Sequence, residues 1–227
     1  MSNLKGKLIV IDGIDGSGKA TQTKILVQRL KAENIKVESM DFPRYQQNFF
    51  GGLVRQYLDG KFGKATEVDP RLASILYALD RFESSPKINQ WLTEGKIVIL
   101  DRYHTSNLIH QGAKLDEKEL DEFATWLAKV EFDKLQIPRP DLVIYLHLSA
   151  EVALDLITKR GNGHDGHDTI EHLKKAEQRC LYLAKKLNWL TIECFDNNQI
   201  RSKEEIAEDI FKKITQVIDN PCYNCSN

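Results

Sequence analysis

The stretch GIDGSGKATQT, Gly13 to Thr23, decides how the rest of the chain is read. It fits a phosphate-binding loop, G-x-x-x-x-G-K-[ST], at every position but the last. There the pattern calls for a hydroxyl that ligates magnesium, and this chain has Ala20, with Thr21 one residue late. The flanks supply the setting the motif needs. KLIVID (7–12) is a continuous apolar run, the mark of a strand buried on both faces. Ser17 to about Glu33 has helical periodicity, with Ile25, Leu26 and Leu30 on one face. Between strand and helix, Gly13, Gly16 and Gly18 permit turns that a Cβ would hinder. Asp15, Ser17 and their neighbours then present backbone N–H groups and a helix N-terminus to an anion. Lys19 reaches the outer phosphates as a point charge. Three readings stay open at this point: a chance match, a site that binds a nucleotide without acting on it, or a kinase that holds its metal another way.

Working outward, short apolar runs alternate with helical periods. KVESMD (36–41) reads as a second strand. Asp69 and Pro70 start a helix as N-cap and first residue, followed by Leu72, Ile75, Leu76, Leu79 and Phe82 at helical spacing. KIVILD (96–101) is another buried strand, and 116–134 is helical. DLVIYLHLS (141–149) is a strand followed by a helix from Ala150 to about Arg160. GNGHDGHD (161–168) has no period and many turn formers, so it reads as a mobile loop. A helix runs from near Thr169 to about Leu187, LTIECF (190–195) is the last strand, and Ser202 with Glu205 forms a capping box for the final helix. Alternating strands and helices predict one α/β domain over 1–227, a three-layer α/β/α fold with a central parallel sheet of about five strands.

Composition sets limits. The 32 basic and 33 acidic residues give a formal charge of −1, so no bulk positive field attracts nucleic acid. The apolar runs are shorter than the roughly 20 residues of a membrane span. A strand begins so soon after Met1 that no signal peptide is expected, which points to the cytoplasm. Cys180 and Cys194 fall within elements; Cys222 and Cys225 form a lone CYNC in the tail (219–227), weak as a zinc motif.

Three further stretches, DFPRY (41–45), YALDR (77–81) and DRYHTSNLIHQG (101–112), join GIDGSGK and the closing FDNNQIRSKEEIAEDI (195–210). In this order and at these intervals they resemble the thymidylate kinase family from about Lys7 to about Lys213. The resemblance implies a P-loop kinase with a lid at about 159–171 that makes dTDP from dTMP and ATP with Mg²⁺. Asp101 ends a buried strand, where a carboxylate holds magnesium directly or through water. In the resembled family the arginine at Arg102 bridges donor and acceptor phosphates. Arg44 is implied to grip the monophosphate, Tyr77 to stack on the base, and Arg81 to bond its carbonyl edge. Asp15 is implied to take the sugar 3′-hydroxyl, and Asn107 and His110 to face base and sugar. His110 stands where the family often has an aromatic residue. Family members draw a catalytic cation from the phosphate loop or the lid, and Ile14, Asp15, Gly16 and Ser17 are not basic. The lid must supply it, and Arg160 with Lys159 at its hinge are the candidates; Lys174, Lys175 and Arg179 are helpers or a solvated face. The lid's His164, Asp165, His167 and Asp168 make a poor metal cage in so glycine-rich a loop. A homodimer is implied, with the apolar faces of helices 70–83 and 116–134 available to it. The alternatives are a related kinase acting on another deoxynucleoside monophosphate and a non-catalytic nucleotide-binding protein.

Overall fold

The structure, a computed structural model, describes residues 6–160, 169–196 and 199–219. Five parallel strands form the sheet: β1 (Lys7–Asp12), β2 (Val37–Asp41), β3 (Ile97–Asp101), β4 (Leu142–His147) and β5 (Leu190–Glu193), in the order β2-β3-β1-β4-β5. The helices are α1 (Lys19–Ala32), α2 (Phe49–Leu58), α3 (Pro70–Thr93), α4 (His104–Ser106), α5 (Glu117–Ala128), α6 (Ala150–Arg160), α7 (Ile170–Lys186) and α8 (Lys203–Asp219). A small antiparallel pair, β6 (Phe195–Asp196) and β7 (Gln199–Ile200), precedes α8. The expected α/β class and five-stranded parallel sheet are what the chain adopts.

The continuous apolar runs are explained by the two covered faces. Successive strand residues point to opposite sides. Ile9 and Ile11 of β1 pack with Leu26 and Leu30 of α1 and Ile210 and Ile214 of α8. Leu8 and Val10 of the same strand pack with Ile88 and Trp91 of α3. The strand order reverses beside β1, and the crevice beyond the carboxyl ends of the strands opens there. The register sets Asp41 and Ile11 beside Asp101, so Asp12, Asp41 and Asp101 gather at one edge of the sheet.

Local signals behave as read. Asp69 caps α3 by accepting from the N–H groups of Arg71 and Leu72, and Ser202 and Glu205 make their reciprocal box. The apolar stripe of α3 does not face the core. Leu72, Ile75 and Phe82 are 64%, 37% and 45% exposed. The helix turns inward instead Ala73, Ser74, Ala78, Asp80, Arg81, Ser84 and Ser85. These inward polar residues are bonded rather than packed: Asp80 and Ser84 to Asn48, and Arg81 to Glu131. The α5 face, by contrast, is core: Leu120, Phe123 and Leu127 are buried. Sequence periodicity does not reveal α2. It packs so closely that a Cβ on Gly51 would lie 2.1 Å from the Arg44 carbonyl oxygen. The lid segment 161–168, the CYNC tail and the Arg160 side chain lie outside the described residues.

Candidate active site

The phosphate loop joins β1 to α1. Gly18 is the N-cap of α1 at φ 87°, a left-handed conformation that favours glycine, and no side chain caps the helix. Nothing lies within 4 Å of where its Cβ would be, so the loop is open there. No acidic residue occupies the first turn of α1, leaving its N–H groups and positive dipole end for an anion. Ser17 is buried, and its Oγ has no hydrogen-bond partner among the described residues. Lys19 folds over the loop, its Nζ donating to the carbonyl oxygens of Gly13 at 3.0 Å and Ile14 at 2.8 Å. Burial pushes this ammonium's pKa down and Arg102 adds to the push, against Asp15, Asp101 and Asp12.

Beside the loop is a cleft of about 530 Å³. The loop residues Asp15, Gly16, Gly18, Lys19, Ala20 and Thr21 line one side, with Asp41, Phe42, Pro43, Tyr45, Asp101 and Arg102 opposite. Arg102 has φ 67°, a left-handed conformation costly for a residue with a Cβ, by on the order of 1–3 kcal/mol. Such strain persists where the surroundings over-determine it, and Arg102 is held from several sides. Its N–H donates to the Ile11 carbonyl at 3.0 Å, its guanidinium pairs with Asp15, and its Nη1 donates to His110 Nε2 at 3.2 Å. Burial alone would raise the Asp15 pKa, but Arg102, His110 and Lys19 outweigh it and hold the carboxyl far below the usual range. Burial opposes the Arg102 charge too, and Asp15, Asp12 and Asp101 more than restore it.

Asp101 is 9% exposed; its backbone carbonyl accepts from the Phe42 N–H at 3.0 Å, while its carboxylate accepts no hydrogen bond among the described residues. Burial raises its pKa, with Lys19 and Arg102 pulling the other way. Its neighbour in the sheet, Asp12, is fully engaged: it accepts from the Gly13 N–H at 2.9 Å and from the Thr105 and Ser106 hydroxyls. Asp12 thereby fixes the start of α4, a role that its position as a strand end does not announce.

The segment after Arg102 is unusual. α4 passes into a π-helix over Asn107–Gln111 and then a short 3₁₀ turn. π-turns widen a helix and re-aim its side chains, and they occur often at functional sites. His110 stacks in parallel on His172 of α7, centroids 5.9 Å apart. Tyr77 is half-buried and packed edge-on against Tyr57 at 6.1 Å, and burial pushes the pKa of its hydroxyl up.

Two expected residues stand differently from the rest. Arg44 does not line the cleft; its guanidinium is 3.4 Å from Asp41, while its backbone N–H donates to Asp80 at 3.0 Å. Asp80 also accepts from Asn48 at 2.8 Å and so ties the DFPRY loop and the start of α2 to α3. Arg81 is 2% exposed and makes a two-pronged pair with Glu131, Nε at 2.8 Å and Nη2 at 2.6 Å. Asp80, Asn48 and Glu131 were not foreseen as site-shaping residues. The adjacency of Asp80 and Arg81 in YALDR was the available signal for the first; nothing local marks the third.

This arrangement gathers cations, a helix N-terminus and an unbonded carboxylate around one anion-sized cleft, which suits phosphoryl transfer. The comparisons agree in kind. The thymidylate kinase family model matches residues 11–210. The Mycobacterium tuberculosis thymidylate kinase is 33% identical over 174 residues, 76% of this chain and 81% of the relative. The human thymidylate kinase is 31% identical over 214 residues, covering 92% and 90%. A solved thymidylate kinase from Candida albicans has the same fold, with TM-score 0.73, 24% identity, and 93% and 92% of the two chains covered.

Proposed function

With the family model spanning most of its length, this chain belongs to the thymidylate kinase family, and we propose that it transfers the γ-phosphoryl group of ATP to dTMP, giving dTDP and ADP. The observation that carries the reading is the meeting of Lys19, Arg102 and Asp101 with the uncapped start of α1 in one cleft. Transfer of a phosphoryl group asks a protein mainly for positioning and for charge at the moving group. Lys19 exchanges its loop carbonyls for the outer phosphates of ATP. Arg102 lies between donor and acceptor, held there by Asp15, and meets the charge that spreads as a dTMP phosphate oxygen attacks in line. Tyr77 stacks on the base, Arg44 leaves its pairing with the cleft-lining Asp41 to take the acceptor phosphate, Asn107 and His110 face base and sugar, and Arg160 at the end of α6 brings the lid's cation.

The cleft fits magnesium. Asp101 is a buried carboxylate with no hydrogen bond among the described residues, and a dication relieves the burial that raises its pKa. When bound, Mg²⁺ offsets charge on the β- and γ-phosphates. Ala20 offers only an exposed methyl, so a water would take the place of the usual hydroxyl while Asp101 would hold the ion, and Thr21 would face the α-phosphate. The protein is proposed to act as a homodimer through the exposed stripe of α3. The buried free thiols of Cys180 and Cys194 suit the reducing cytoplasm.

A coupled ADP-release assay across dTMP, dUMP, dCMP and dGMP tests the proposal. The largest kcat/KM is expected for dTMP. Faster turnover of another monophosphate, or tight ATP binding with no transfer, contradicts it.

A further inference from the structure

Glu131 is fully buried, yet none of the phosphate- or metal-facing chemistry uses it. It lies on a second π-helix, Lys129–Lys134, that prolongs α5. Its Oε2 accepts from Arg81 Nε at 2.8 Å; its Oε1 accepts from Arg81 Nη2 at 2.6 Å and from Asn107 Nδ2 at 3.3 Å. The Asn107 amide nitrogen also donates to the Ser74 carbonyl at 3.2 Å, and Arg81 Nη1 donates to the Tyr103 carbonyl at 3.3 Å. Three helical elements therefore converge on one carboxylate: α3, the π-turn after α4 and the π-turn after α5.

We infer that Glu131 is a positioning residue that fixes which hydrogen-bonding pattern Arg81 and Asn107 present to the base. A carboxylate is acceptor-only. It accepts one of the two Asn107 N–H groups while the Ser74 carbonyl accepts the other, which leaves the amide oxygen as the acceptor for a ligand. The same carboxylate and the Tyr103 carbonyl take three of the five Arg81 N–H groups, leaving donors at the ends of the guanidinium. A donor beside an acceptor complements a pyrimidine with a 4-carbonyl and an N3–H. It conflicts with cytosine, which has a 4-amino group and a bare N3 at those places. Sites built to hydrogen-bond one pattern reject the opposite one because buried groups are then left unpaired. A buried ion pair is seldom the most stabilising filling for such a space; here it supplies direction to two side chains at once.

The inference rests on the proposed activity, and its test separates the two. Wild type that fails to turn over dTMP defeats the proposed function before any variant is read. Given that turnover, Glu131→Gln keeps the side-chain shape but brings a donor against Arg81 or Asn107. The expected result is a KM for dTMP raised by about 10- to 100-fold. The ratio of kcat/KM for dTMP over dCMP falls at least about tenfold, with KM for ATP within about twofold of wild type. A purely structural role would lower the active fraction, and hence apparent kcat, without moving either KM or the base ratio; that outcome overturns the inference. If Glu131→Gln does not fold, the double variant Arg81→Met with Glu131→Met removes the buried charges together, and retention of the wild-type base ratio in it overturns the inference equally.

Discussion

At the scale of single residues, the cleft is governed by charges that compensate one another. Asp15 stands inside a phosphate loop, where a carboxylate would repel an anionic ligand, and it is paired with Arg102. The Asp101 carboxylate, 9% exposed, is left without a hydrogen bond among the described residues, and Ala20 has no side-chain oxygen with which to ligate a metal ion. Asp101→Asn is therefore expected to lower kcat by about 10²–10³-fold, whereas Ala20→Thr changes it by no more than about threefold. Steady-state rates at saturating Mg²⁺ check both; a rise of several orders of magnitude in Ala20→Thr would mean that the natural chain is a binder. The sequence made Lys19, Asp15, Asp101 and Arg102 legible because each sits at a fixed offset from a strand end or a glycine. Glu131 was not legible. A glutamate in a helical period reads as a solvated face, and its partner lies 50 positions away in α3.

At the scale of elements, the strands were plain because a run apolar at every position has only a doubly covered sheet to bury it. The helix α2 was not, since its conformation depends on a close approach to the Arg44 backbone and on Glu83, which accepts from the N–H groups of Phe49 and Phe50 at 3.0 and 3.1 Å. The two π-turns were equally invisible, because their widening is set by the side chains they aim. The elements framing the lid carry a proton-dependent tie. His147 of β4 lies 2.7 Å from Glu193 of β5 and 3.2 Å from Glu177 of α7, which also accepts from the N–H of Ala150 at the start of α6. Burial pushes the His147 pKa down, but the two glutamates outweigh it and raise the value above 6.5. A raised pKa means that the tie is fully present below 6.5 and is lost as pH climbs through the folded-state value. The tie is worth on the order of 1 kcal/mol, because Glu193 is exposed and screened. In thermal melts, wild type should exceed His147→Gln most at about pH 6, and the gap should close by about pH 9. A gap that widens with pH would contradict the assignment.

At the scale of the whole molecule, the fold follows from strand alternation and the phosphate loop, but the division between core and outer surface does not. The apolar stripes of α3 and α5 look alike in sequence, yet α5 buries Leu120, Phe123 and Leu127 while α3 leaves Leu72, Ile75 and Phe82 in the open. An exposed apolar stripe of this kind is the surface through which the proposed homodimer would form. Sedimentation should show a dimer for wild type and a monomer for Leu72→Glu with Ile75→Glu; a monomeric wild type would refute that assembly. The central claim is that this cleft moves a phosphoryl group rather than merely holding a nucleotide. Following a radiolabelled γ-phosphate from ATP tests it most directly, in wild type and in Arg102→Met of unchanged thermal stability. Label should pass to dTDP in wild type and do so at least about 10²-fold more slowly in the variant; label that stays in ATP, appears only as inorganic phosphate, or reaches dTDP equally fast without Arg102 would contradict the account.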